Sequence, residues 1–176
     1  DYFKTRINKK KIVSFIVGGP NNYFDYDDVF LDDLFLRIKN IFIIKGYQLI
    51  FIPSFRTPQR IIDKAKEYYD NNQIIVDKID KKAYLSSLKL ANHIIVTSDS
   101  TSMISEAAMT GKPIYVAQVP AIKKNDRFEK FFELFKSLNI IKDFENPLKV
   151  WNYEKLNETD KISRYIKEQF KNYDFS

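Results

Sequence analysis

Apolar and polar positions along the chain fall into blocks of two kinds. Residues 11–18 (KIVSFIVG), 47–52 (YQLIFI), 73–76 (QIIV), 93–97 (HIIVT) and 113–117 (PIYVA) are short, nearly continuous apolar runs. Runs of that length, rich in β-branched residues and bounded by Gly, Pro or Asn, predict strands buried on both faces. Between them, apolar residues recur at three- and four-residue spacing. Val29, Leu31, Leu34, Phe35, Ile38, Ile41 and Phe42 do so in 27–45, and Ile61, Ile62, Ala65 and Tyr68 in 58–71. Shorter blocks follow at 83–90 and 101–109, and Phe128, Phe131, Phe132 and Phe135 stripe 127–138. This spacing predicts amphipathic helices. Gly46 and Gly111 stand where left-handed C-caps are expected, and Thr57-Pro58 reads as an N-cap and first helical residue. Alternation of strand and helix implies right-handed crossovers. The expected fold is α/β: a doubly wound, mainly parallel, Rossmann-like sheet of about five strands. A last helix over 158–172 closes the pattern, and the basic stretch 1–10 reads as a linker or the end of a preceding domain. Residues 11–176 then form the domain.

Composition narrows the chemistry. The 176 residues are 44% hydrophobic and 15% aromatic, enough for a packed core, and include no cysteine and one histidine, His93. A thiolate site, a His-based zinc site and a Ser-His-Asp triad are therefore not expected, and no metal site is assigned. The formal net charge of +6 suits an anionic partner without choosing one. No apolar run is long enough to cross a bilayer, which fits a cytoplasmic location. The lysines at 9–11 and at 123–124 offer contacts for an anionic membrane surface.

In a doubly wound sheet, ligands sit beyond the carboxyl ends of the strands. The richest such loop is Ser98-Asp99-Ser100-Thr101-Ser102, with Met103 and Glu106 in the helix behind it. Hydroxyls and free amides at a helix start favour an anion. Glu106, about one turn in, has two readings: a ligand for ribose hydroxyls, or the partner in a capping box begun by Thr101 or Ser102. Gly18-Gly19-Pro20 follows the first strand and is either a structural turn or a close approach to a ligand. It is neither a GxGxxG fingerprint nor a P-loop. Ser54-Phe55-Arg56-Thr57-Pro58 follows the second strand, and the planar donors of Arg56 suit a phosphate as well as solvent. Asp25-Tyr26-Asp27-Asp28 reads as a helix start more than a metal site. His93 and the Phe stripe read as core. Phe24 and Tyr26 near the 9–11 lysines suggest base stacking, but no nucleic-acid motif accompanies them, so no nucleic acid is expected.

These residues resemble the mitochondrial fission ELM ("elongated mitochondria") family. Carrying the resemblance are Gly18-Gly19-Pro20, Ser54-Phe55-Arg56-Thr57-Pro58, Asp99-Ser100-Thr101-Ser102-Met103-Ile104-Ser105-Glu106-Ala107 and Thr110-Gly111-Lys112-Pro113, over nearly all of 11–170. Trp151-Asn152-Tyr153 and Glu158-Thr159-Asp160 are also similar to it. Asn92, and Ala83 before Tyr84, depart from the usual pattern. More distantly, the block resembles the donor-binding half of GT-B glycosyltransferases, including the peptidoglycan enzyme that adds N-acetylglucosamine to lipid I. That resemblance implies a nucleoside-diphosphate sugar as substrate, with no further cofactor. Ser100, Thr101, Ser102 and Met103 would contact its phosphates, Glu106 its ribose, and Gly18 and Gly19 would border the sugar and diphosphate. It also implies a second, N-terminal Rossmann-like half carrying the acceptor site and the general base, so no catalytic residue is assigned. The helix at 158–172, with Ile162, Tyr165, Ile166 and Phe170, would brace that half. The implied role is glycosyl transfer in envelope glycoconjugate synthesis. The alternatives are a non-enzymatic interaction protein in membrane or organelle division, and a nucleotide-binding regulatory module.

Overall fold

The computed structural model describes residues 2–9, 11–144 and 148–157. The bracing helix expected at 158–172 lies outside the described residues. Six strands form one sheet in the order β3-β2-β1-β4-β5-β6, and all five neighbouring pairs run parallel. The strands are β1 (Lys11–Val17), β2 (Tyr47–Pro53), β3 (Ile74–Ile75), β4 (His93–Thr97), β5 (Ile114–Ala117) and β6 (Ile141–Asp143). The helices are α1 (Asp28–Ile38), α2 (Gln59–Tyr68), α3 (Lys81–Leu90), α4 (Thr101–Ala108) and α5 (Asp126–Ser137). The doubly wound α/β class expected from the sequence is thus the observed one.

Alternating side chains of each strand serve two separate cores, as a two-sided sheet requires. Val13, Phe15 and Val17 of β1, with Leu49 and Phe51 of β2, pack under α1 and α2. Ile12, Ile16, Ile50 and Ile52 point the other way and pack with α3 and α4, which bring Ala83, Leu88, Ile104, Ala107 and Ala108. Phe15, Phe35 and Phe51 meet edge to face, with centroids 5.6 to 6.5 Å apart. Each such pair adds about 0.5–1.5 kcal/mol beyond its buried area.

Four local differences from the expected pattern have physical causes. A sixth strand exists because IKD of β6 pairs with β5, Ile114 opposite Ile141; three residues carrying one apolar side chain give no periodic signal. The long block at 27–45 is α1 followed by a π-helical turn, Lys39–Ile43, ending at Gly46 with φ +84°. Helix α2 begins one residue late: Pro58 occupies the N-cap position, and no side chain caps it. Finally, the stretch before β1 packs onto the domain. Phe3 is fully buried, and the Gln48 side chain accepts from the Asn8 amide and donates to the carbonyls of Arg6 and Asn72.

Candidate functional site

In this strand order the chain leaves β1 toward β2 on one side and leaves β4 toward β5 on the other. The loops after β1 and β4 therefore diverge and leave a crevice between them at the carboxyl edge. The loop after β2 flanks it.

The crevice is built around Asp99, whose side chain is wholly buried. Its Oδ2 receives the Arg56 guanidinium at 2.6 Å and the Gly19 amide at 3.1 Å, and its Oδ1 receives the Tyr26 hydroxyl. Burial first, then the Asp99 charge and hydrogen bond, push the Tyr26 hydroxyl far above the usual phenol range, so it remains a donor. One carboxylate thereby ties together the loops after β1, β2 and β4. The two glycines are required by this closeness. A Cβ on Gly18 would lie 2.0 Å from Asp99 Oδ2, and one on Gly19 would lie 1.9 Å from the Arg56 carbonyl oxygen. The Thr57 hydroxyl lies 2.8 Å from the Val17 carbonyl and 2.6 Å from that of Gly18, and it accepts from the Ser54 amide at 2.8 Å. It fastens two loops together instead of capping α2. The Thr97 hydroxyl accepts from the Gly18 amide at 2.8 Å.

Around this knot the serine loop divides. Ser98 faces inward, its hydroxyl accepting from the Val119 amide. Ser100 occupies the N-cap position of α4, and no side chain caps the helix. The first amides of α4, on Thr101, Ser102 and Met103, carry the positive end of the helix dipole and, among the described residues, have no side-chain acceptor. Arg56 reaches the residue just before that cap, with Nη2 3.4 Å from the Asp99 carbonyl, and its side chain is 44% exposed. Glu106 does not close a capping box. Its carboxylate is exposed and accepts from the Tyr84 hydroxyl at 2.6 Å. Glu106 and Met103 line a cavity of about 360 Å³ with Ile16, Ser54, Phe55 and Tyr84. The candidate residues thus form two adjacent groups, Gly18, Gly19, Arg56 and Thr57 around Asp99, and Ser100–Met103 with Glu106 along α4.

The sequence places Asp99 in the richest loop but gives it no role, and nothing in their own context marks Tyr26 or Tyr84 as members of this site. The Tyr26–Asp99 pair spans 73 residues and the Tyr84–Glu106 pair 22, so no local spacing announces either. Other features settle as structure. Asp27 caps α1 by accepting from the Phe30 amide at 2.7 Å, and Asp28 pairs with Arg60 and Lys64. Phe24 and Tyr26 are buried and offer no stacking face. Lys112 extends its ammonium to the Leu88 carbonyl at the end of α3, and burial lowers its pKa. Lys123 lies over the Tyr23 ring and Lys124 pairs with Glu129. Among the described residues, no group of three or more His, Asp or Glu is placed to hold a metal ion. No helix among them is long and apolar enough to cross a membrane.

A family model described as mitochondrial fission ELM1 matches residues 2–170. The chain belongs to the mitochondrial fission ELM1 family. It is 32% identical over 168 residues to an uncharacterised protein of Rickettsia prowazekii (strain Madrid E), covering 90% of this chain and 46% of that protein. It is 28% identical over 163 residues to the mitochondrial fission protein ELM1 of Arabidopsis thaliana, covering 91% of this chain and 38% of that protein. The chain spans less than half the length of either relative. The family match takes in every candidate residue named above, and it begins ahead of β1, where Phe3 and the Gln48 contacts hold the chain to the sheet.

Proposed function

We propose that the crevice holds the diphosphate and ribose of a nucleoside-diphosphate sugar. This ELM1-family chain is then the donor-binding half of a GT-B-like glycosyltransferase-related protein, acting in envelope glycoconjugate synthesis. One observation carries the reading. Helix α4 opens uncapped at the crevice where strand order reverses, and Glu106, one turn further on, lines the adjoining cavity.

Each part has a physical role in that reading. Amides of Thr101, Ser102 and Met103 donate to phosphate oxygens, and the dipole of α4 favours their charge. Arg56, anchored through one nitrogen by Asp99, directs its remaining donors to the same anion. Glu106 accepts from ribose hydroxyls. Gly18 and Gly19 keep the wall of the crevice free of side chains where the sugar would approach. The acceptor and the group that deprotonates it are assigned to the other part of the longer protein, and Lys123 and Lys124 to contact with an anionic membrane.

The test is a thermal-shift series on the full-length protein with UDP- and GDP-sugars. A ligand at a hundred times its Kd should stabilise the fold by about 2.7 kcal/mol, and Glu106→Gln should diminish that gain. No shift with any sugar nucleotide would remove the reading. The name of the Arabidopsis relative favours a second one, in which the chain serves division through protein contacts. Capture of a division GTPase by a protein that ignores every nucleotide would decide for it.

A further inference from the structure

We infer that Tyr84 is a positioning residue that sets Glu106 to select ribose over deoxyribose. The inference rests on the proposed nucleotide reading and adds to it a residue and a ligand class. Glu106 is exposed, and an exposed glutamate samples many rotamers. Here the Tyr84 hydroxyl holds Oε2 at 2.6 Å, and among the described residues Oε1 has no partner. Burial first, and then the hydrogen bond it donates to Glu106, push the Tyr84 phenol upward, so it stays protonated and donates throughout the neutral range. Its mount is rigid. Helix α3 is capped by Asp80, which accepts from the amides of Lys82 and Ala83, and is pinned to β1 by the Ser87–Ser14 hydroxyl contact at 3.0 Å.

Tyr84 also stands between two hollows, the 360 Å³ cavity beside the crevice and an outer groove of about 600 Å³ with Leu85, Leu88 and Met109. The hydrogen bond keeps the carboxylate on the wall they share. A carboxylate so held offers lone pairs on both oxygens to two neighbouring hydroxyls, as in the cis-diol of a ribose. A ligand lacking one hydroxyl leaves an acceptor unpaired, and a site built for the pair rejects it.

Calorimetric titration of the full-length protein with UDP, GDP and their 2′-deoxy counterparts tests this. The wild type should prefer the ribonucleotide by about tenfold or more. Tyr84→Phe should reduce the preference to about twofold, with the larger loss of affinity falling on the ribonucleotide. Tyr84→Leu serves if the first variant does not fold, with the same expectation. A preference kept by a folded Tyr84 variant overturns the inference and leaves nucleotide binding intact. Binding without any ribose preference in the wild type also overturns it. Failure of both UDP and GDP to bind removes the proposed function, and this inference with it.

Discussion

At the scale of single residues, the molecule turns on a buried carboxylate with three donors. Asp99 has no side-chain exposure, so removing it leaves Arg56, Tyr26 and the Gly19 amide without their acceptor. Asp99→Ala should cost roughly 3 kcal/mol, read as a lower urea midpoint at an unchanged slope. Asp99→Asn keeps one acceptor oxygen, which serves Arg56 and Gly19 while the Tyr26 hydroxyl turns to accept from the new amide, and should cost less. Gly18→Ala should destabilise by at least about 2 kcal/mol, because its Cβ would collide with the carboxylate at 2.0 Å. The sequence allows Gly18-Gly19 to be either a turn or a place where the chain needs room. It does not say what fills that room. The neighbour is Asp99, about 80 residues away.

At the scale of elements, helix starts are where sequence and structure agree or part. Asp27 caps α1, and Asp27→Ala should lower stability by about 1 kcal/mol in chemical denaturation. Helix α4 has no such cap, and a charge placed at its start should act in opposite senses on fold and ligand. Thr101→Asp complements the dipole and should stabilise the free protein by a few tenths of a kcal/mol. The same carboxylate should repel a diphosphate and shrink the nucleotide-dependent rise in Tm. A loss of stability in the free protein with nucleotide response retained would contradict both roles assigned to the α4 start. Strand β4 is legible to the residue because its apolar run has clear flanks, Asn92 before and Ser98 after. The start of α2 is not, because Thr57 has the choice of capping the helix or bonding the β1 loop, and only the packed loops decide.

At the scale of the whole molecule, the one histidine makes stability depend on pH in the mildly acidic range. His93 is 3% exposed among the rings of Phe42, Tyr47 and Tyr115, and burial lowers its pKa below the ordinary value of 6.5. The unfolded chain binds the proton first, so stability should be full above pH 6.5 and should fall as pH drops below it, until the folded-state pKa is reached. The decline should begin just below pH 6.5, and His93→Phe should flatten that part of the curve. The sequence by itself determined that there would be a two-sided parallel sheet, five of its six strands, and which loops would stand at its carboxyl edge. Those follow from hydrophobic period and from glycine and proline, which act over a few residues. It left Glu106 divided between cap and ligand, and the glycine pair between turn and close approach. Tertiary structure decided that Glu106 belongs to the cavity beside Tyr84, and that the glycines make way for Asp99 and Arg56. The reason is distance along the chain: each of these contacts joins segments between 22 and about 80 residues apart, and no local pattern encodes them.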